Sequence, residues 1–280
     1  MTDKNALVSR LIAILVQYVP GLQNQVEAFS ADYFAQRALL RGLMNMHKVE
    51  NSLSEEFFAL QDELLAAELK EKNLVNCASL AAVKLNPMLS LHQGDITSLC
   101  CDAIVNAATP LLQGCFQAGH NCVDNCIHSA AGLQLRYECA RILGNRVAKE
   151  GSAIISHAFN LPCRFVIHVV APKVGFEVTS KERSLLASCY TETLKVARKN
   201  GVKSLAFCPI GTGALGYPAG KAVKVAVETV QNDLEAHHND LKVVFAVDKE
   251  SDYHLYDAEL NPNPKKKDDE LHPFFNINLI

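Results

Sequence analysis

The chain has 280 residues, 49% of them hydrophobic, and carries a formal charge of −3 at pH 7. That length holds one large domain or one domain with an appendage, and the apolar content is ample for a buried core. Lys and Arg are mixed among Asp and Glu without the basic stripe that grips a phosphate backbone, which argues against a nucleic-acid polymer as partner.

No stretch is long and apolar enough to span a bilayer, so no membrane association is expected. Asp3, Lys4 and Arg10 interrupt the apolar positions around Leu11 to Val19, unlike a secretory leader. The ten cysteines sit mostly inside apolar runs such as Ala206-Phe207-Cys208-Pro209, not in the spaced framework of a small secreted domain. The expectation is a cytoplasmic protein with free thiols, among which Cys100, Cys101, Cys139, Cys163, Cys189 and Cys208 serve packing.

In chain order, residues 1–75 form a helical N-terminal extension. Leu7, Leu11, Leu15, Leu39, Leu40, Leu43, Phe57, Phe58, Leu64 and Leu65 recur at helical spacings with charges between them. Pro20-Gly21 breaks the first helix, and Asn51 to Glu56 starts the last, with Ser or Asn as N-cap. No catalytic grouping appears there, and the sequence leaves open whether the extension recognises substrate or packs on the core, with packing as the default reading.

Residues 76–258 read differently. Short apolar runs at Met88–Leu91, Ala103–Val105, Ile154–Ile155, Phe165–Val170, Leu205–Phe207 and Val243–Val247 alternate with helical stretches at 122–143, 180–199 and 218–237. This is the pattern of an α/β layered domain with a parallel or mixed sheet, which binds ligands beyond the carboxyl ends of its strands. Residues 259–280 read as a polar, proline-containing tail whose Phe274, Phe275, Ile277 and Ile280 form an apolar terminus.

Four segments carry chemistry. In Gly94-Asp95-Ile96-Thr97, Asp95 is suited either to accept from a ligand amino group or to cap a turn. Val105-Asn106-Ala107-Ala108 ends a strand with an amide followed by small residues that permit close approach of a sugar or phosphate. Pro209-Ile210-Gly211-Thr212-Gly213-Ala214-Leu215-Gly216-Tyr217-Pro218 joins a strand to a helix, where successive N–H groups can converge on a diphosphate. It is neither a Walker loop nor the dinucleotide fingerprint.

The fourth segment runs from Gly114 to Asn125 and contains Cys115, His120, Cys122 and Asp124. Two thiols and an imidazole suit Zn²⁺, and three ligands leave a fourth position open, as in catalytic zinc sites. The Cys-x4-His-x-Cys spacing is unlike the usual structural zinc patterns. Cys126 and His128, one turn into the following helix, are rival ligands, though a histidine placed like His128 at the start of an apolar helical face is more often a packed, hydrogen-bonded core residue.

Taken together, Gly94 to Thr97, Asp102 to Ala108, Ile127-His128 through Gly132 with Glu138-Cys139, Val166-Ile167-His168, and Gly211 to Pro218 resemble the macrodomain family over about residues 75–250. The resemblance implies a three-layer α/β/α fold with a mixed sheet that binds ADP-ribose. The His120-x-Cys122 insertion ahead of Val123-Asp124 resembles the zinc-dependent branch, microbial enzymes that remove mono-ADP-ribose from proteins and also carry a helical N-terminal extension. A sirtuin-type transferase and a lipoyl-carrier protein are partners of some of its bacterial members.

By that resemblance, Asp95 and Ile96 contact adenine, while Gly211, Thr212, Gly213, Ala214, Leu215, Gly216 and Tyr217 contact the diphosphate and distal ribose. Asn106 contacts the distal ribose and assists catalysis. Cys115, His120 and Cys122 hold one Zn²⁺ beside it. Asp124 falls where hydrolytic relatives place a catalytic carboxylate, and Leu215 where many have an aromatic. The alternative is a non-catalytic ADP-ribose reader whose zinc only shapes the loop.

Overall fold

A computed structural model describes residues 3–262 apart from 24, 25, 27, 28 and 31. The apolar terminus expected at Phe274 to Ile280 lies outside the described residues.

Among the described residues the extension includes the α-helices α1 (Lys4–Leu15), α2 (Tyr33–Met46) and α3 (Glu55–Glu71). Each begins where a short polar side chain accepts from the first turn: Asp3 from Ala6 N, Asp32 from Ala35 N and Ser54 from Phe57 N. Leu11, Leu40, Leu43, Phe57 and Leu64 are buried between them together with Leu133 of the main body, so the bundle and the body share a core.

A two-stranded parallel pair, β1 (Val75–Asn76) and β3 (Leu99–Cys100), flanks the main sheet. That sheet comprises β2 (Leu89–Gln93), β4 (Ala103–Ala107), β5 (Ala153–His157), β6 (Phe165–Val169), β7 (Ser204–Phe207) and β8 (Lys242–Val247). Its order is β2-β8-β7-β4-β6-β5, parallel throughout except for the edge strand β5, which runs antiparallel to β6. All six apolar runs named from the sequence fall on strands, because both faces of this sheet are covered and its central strands are largely apolar.

Side-chain alternation sorts each strand between two layers. Ala103, Val105, Ile167, Val169, Leu205, Phe207, Val243 and Phe245 pack under α6 (Ser180–Lys199), α7 (Ala219–Ala236) and α8 (Glu250–Leu260). Ile104, Val166, Ala206 and Val244 face the opposite layer, α4 (Val123–Ala131) and α5 (Leu133–Leu143). Asn106 and His168 share the parity of Ile104 and Val166, so both point at α4.

Two features differ from the sequence pattern. The stretch 122–143, expected as one helix, is split at Gly132, whose φ of +93° suits glycine and where an added Cβ would run into the Gln61 amide. The helix α8 was not expected: Tyr256 and Leu260 are its only fully buried residues, too few to write a clear apolar stripe. It ends with Leu260 in the core and its carbonyl accepting from Leu85 N at 3.0 Å.

Candidate active site and metal centre

The loops after β4, β6 and β7 all leave the sheet at its carboxyl edge, where ligands of such sheets bind. Asn106, near the end of β4, sits opposite His168 of β6. Its Nδ2 donates to Asp124 Oδ1 at 2.7 Å and to His168 Nδ1 at 3.1 Å. With Nδ1 an acceptor, the His168 proton is on Nε2, which donates to Ser156 Oγ at 2.9 Å.

Asn106 is fully buried and Asp124 is 4% exposed, yet Asn106 Oδ1 and Asp124 Oδ2 have no partner. Burial pushes the Asp124 carboxyl up to about 6, against the opposing hydrogen bond from Asn106 and the charge of Arg136. His128 Nε2 lies 3.6 Å from Asp124 Oδ1. Neither ring nitrogen of His128 has a hydrogen-bond partner, and burial holds the imidazole neutral. It is a packed core histidine but not a hydrogen-bonded one.

Above this buried group runs the loop from Ala108 to Cys122. Gly114 adopts φ +79°, and a Cβ there would stand 2.7 Å from His128 Cγ, so the loop rests on that ring only because residue 114 has no side chain. The turn that follows gathers Cys115, His120 and Cys122, whose ligand atoms all lie within 4.8 Å of one another. Cys115 Sγ and His120 Nδ1 are 3.5 Å apart. Tetrahedral zinc with bonds of about 2.3 Å to sulfur and about 2.0 Å to nitrogen requires an S···N edge of about 3.5 Å, so the donor set fits the ion. Among the described residues this is the one such cluster; Cys126 and His128 stand outside it.

Cys122 is also the N-cap of α4, its sulfur accepting from Asn125 N at 3.4 Å. Asp124 therefore occupies the first turn, where the positive end of the helix faces a carboxylate. Burial pushes the Cys122 thiol up to about 11.

The sequence did not mark the residues that hold this loop in place. Arg41 of α2 donates from Nη2 to His120 O at 3.1 Å and to Asn125 Oδ1 at 2.8 Å, and from Nε to the same Asn125 oxygen at 3.1 Å. Asn45, one turn on, accepts from Gly119 N at 3.0 Å and donates to Ser129 Oγ at 3.2 Å. Arg136 of α5, 1% exposed, donates to Gln113 O and to the carbonyls of Met44, Asn45 and His47 at the end of α2, and lies over the Phe116 ring at 4.5 Å. Spacing of Arg41 and Asn45 by four residues puts them on one helix face, a signal legible only once that face has a partner.

Just after β2, Asp95 caps the turn Ile96–Ser98. Its Oδ1 accepts from Thr97 N at 2.9 Å, and its Oδ2 accepts from Thr97 Oγ1 at 2.7 Å and from Lys72 Nζ at 3.0 Å. The capping role is thus realised, and Ile96 turns its side chain into the core, leaving its backbone for contact. In the glycine-rich loop, Gly213, Ala214 and Gly216 are exposed, whereas Tyr217 is 2% exposed with its ring in the core below. Tyr217 N donates to Gly211 O and Gly216 N to Gly213 O, both at 3.0 Å, while Val174 N donates to Leu215 O at 2.9 Å. The loop is a closed turn braced by its neighbour after β6.

Residues 105–226 match the family described as Macro domain. A protein-ADP-ribose hydrolase of Treponema medium is 43% identical over 225 residues, covering 79% of this chain and 86% of the relative. The chain belongs to the macrodomain family. A protein-ADP-ribose hydrolase of Staphylococcus aureus (strain MSSA476) is 38% identical over 226 residues, covering 80% of this chain and 84% of the relative. A Trypanosoma brucei macrodomain solved in complex with ADP-ribose is similar in structure, with a TM-score of 0.63 and 28% identity over 76% of this chain and 93% of that one. The matched stretch of this macrodomain runs from the end of β4 into α7. It holds Asn106, the cysteine-histidine loop, Asp124 and the glycine-rich loop, and leaves Asp95 and the N-terminal helices outside.

Proposed function

We propose that this macrodomain is a zinc-dependent protein-ADP-ribose hydrolase that removes mono-ADP-ribose from modified side chains. The observation that carries the reading is the convergence of Cys115, His120 and Cys122 at zinc-compatible distances on the N-terminus of the helix that also carries Asp124. Its likeness to two relatives named protein-ADP-ribose hydrolase supports the hydrolytic part.

In the overall reaction a water oxygen bonds to the anomeric carbon of the ribose and the bond to the protein side chain breaks. Free ADP-ribose and the unmodified protein result. Cys115, His120 and Cys122 would hold Zn²⁺, which would supply Lewis acidity to the reaction when bound. The chain's own groups do the rest. The backbone of the 211–216 turn, exposed at Gly213, Ala214 and Gly216, receives the diphosphate, Asp95 accepts from the adenine amino group, and Ile96 meets the ring through its backbone. Asp124 orients the attacking water and takes its proton, with Asn106 holding the carboxylate in position.

The near-complete burial of Asp124 is the observation on the side of an ADP-ribose reader. One experiment separates the two: zinc content and release of ADP-ribose from a mono-ADP-ribosylated protein, before and after chelation and zinc add-back. Stoichiometric zinc with chelator-sensitive, zinc-restored release is expected. Zinc and ADP-ribose binding without release would identify a reader, and wild-type turnover by a metal-free Cys122→Ala protein would remove the zinc role.

A further inference from the structure

The N-terminal helices carry no catalytic grouping in their sequence, yet α2 meets the Cys115–Cys122 loop at successive turns. Arg41 reaches the backbone oxygen of His120 and, through two nitrogens, the Asn125 oxygen; its Nη2 also lies 3.6 Å from Cys126 Sγ. Asn125 in turn donates from Nδ2 to Gln117 O at 3.1 Å, inside the loop, and from its backbone N–H to the Cys122 sulfur. Asn45 takes the Gly119 N–H, next to His120. Between these two side chains Gly42 faces Ala118 of the loop, where a Cβ would stand 3.6 Å from the Ala118 Cβ, an ordinary contact distance. The contacts bracket His120 and end on the cap formed by Cys122, and they come from a segment 79 residues away in the chain.

A loop with glycines at 114 and 119 has many conformations, and metal affinity falls by the free energy needed to gather its ligands. Groups that hold the ligand-bearing backbone reduce that cost, and loss of such outer-shell partners lowers metal affinity by about 10- to 100-fold. Arg37, one turn earlier on the same helix, provides the contrast. It pairs with Glu68 of α3 through two hydrogen bonds, inside the bundle.

We propose that Arg41, supported by Asn45, is a positioning residue of the metal centre, presetting His120 and Cys122 for Zn²⁺, so that the N-terminal extension is part of that centre. The inference rests on the zinc reading above and goes beyond it in assigning the extension a role at the site.

The test is zinc affinity of the full chain, read by competition with a chromogenic zinc chelator and independent of turnover. Arg41→Ala is expected to weaken zinc binding 10- to 100-fold, Arg41→Lys to weaken it less, and Arg37→Ala to leave it within twofold of wild type. Far-UV circular dichroism and the urea midpoint of the metal-free proteins report folding; where Arg41→Ala fails to fold, Arg41→Lys and Asn45→Ala decide. Wild-type zinc affinity in the folded Arg41 and Asn45 variants would overturn this inference alone. An equal loss in Arg37→Ala would also overturn it, by showing that loosening the bundle suffices. Absence of zinc from the wild-type protein would overturn both this inference and the zinc reading.

Discussion

Asn106 donates to Asp124 across 2.7 Å from the end of β4 to the first turn of α4, and both side chains are buried. The pair exists because strand parity points Asn106 at the α4 layer while Cys122 starts that helix two residues before Asp124. It leaves one carboxylate oxygen without a protein partner, on the helix whose N-cap is Cys122 of the cysteine-histidine loop.

Asp124→Asn is expected to keep stoichiometric zinc and to lose at least a hundredfold in ADP-ribose release, the share typical of a positioned base. Its unfolding free energy should not fall, because a buried carboxyl with an unpaired oxygen becomes a neutral amide of the same shape. Metal analysis, a release assay and urea unfolding check the three parts. Undiminished release would take Asp124 out of the reaction.

Gly114→Ala places a methyl against His128 and forces φ +79° on a residue that disfavours it. A loss of about 1–3 kcal/mol in unfolding free energy is expected from strain and overpacking together. Urea titration of the metal-free protein measures it, and an unchanged midpoint would show that the loop does not rest on His128.

Thr97 and Lys72 both serve the Asp95 carboxylate, but unequally. Lys72 and Asp95 are 36% and 51% exposed, so their ion pair contributes about 0–1 kcal/mol in water. Thr97 is buried and satisfies both carboxylate oxygens. Calorimetry is expected to show ADP-ribose affinity falling less in Lys72→Ala than in Thr97→Val, where a lost hydrogen bond costs about 1 kcal/mol. The reverse order would mean that adenine reads Lys72 and not Asp95.

His168 is packed among Asn106, Ser156, Cys139 and His128, and burial holds its imidazole down to about 3. The unfolded chain takes up that proton below about pH 6.5 while the folded chain refuses it. This contribution is therefore complete above about pH 6.5 and is lost as pH falls toward 3, by at most about 1.4 kcal/mol per pH unit. Urea unfolding between pH 7.5 and 4 should show a shallower acid-side loss for His168→Gln than for wild type. Parallel curves would assign the acid sensitivity elsewhere.

The main strands and the thiol-imidazole cluster of the 115–122 loop were readable in the one-dimensional pattern. Strands buried on both faces are written as apolar runs, and Cys115, His120 and Cys122 lie within eight residues, close enough for glycine-permitted turns to gather them. The break at Gly132 was not readable, because an isolated glycine inside a helical pattern is usually tolerated. Nor was the helix Glu250–Leu260, which buries too little to show a stripe.

The sequence by itself thus determined the layer architecture, the bundle ahead of it and the clustering of Cys115, His120 and Cys122 in one loop, since each is encoded in periodicity or in residues a few positions apart. Only the tertiary structure decided that Asn106 faces Asp124, that Asp95 is already held by Thr97 and Lys72, and that Arg41 grips the loop. Apart from the Thr97 turn, these contacts join residues far apart in the chain. Their energies depend on which faces meet, and no local pattern encodes that.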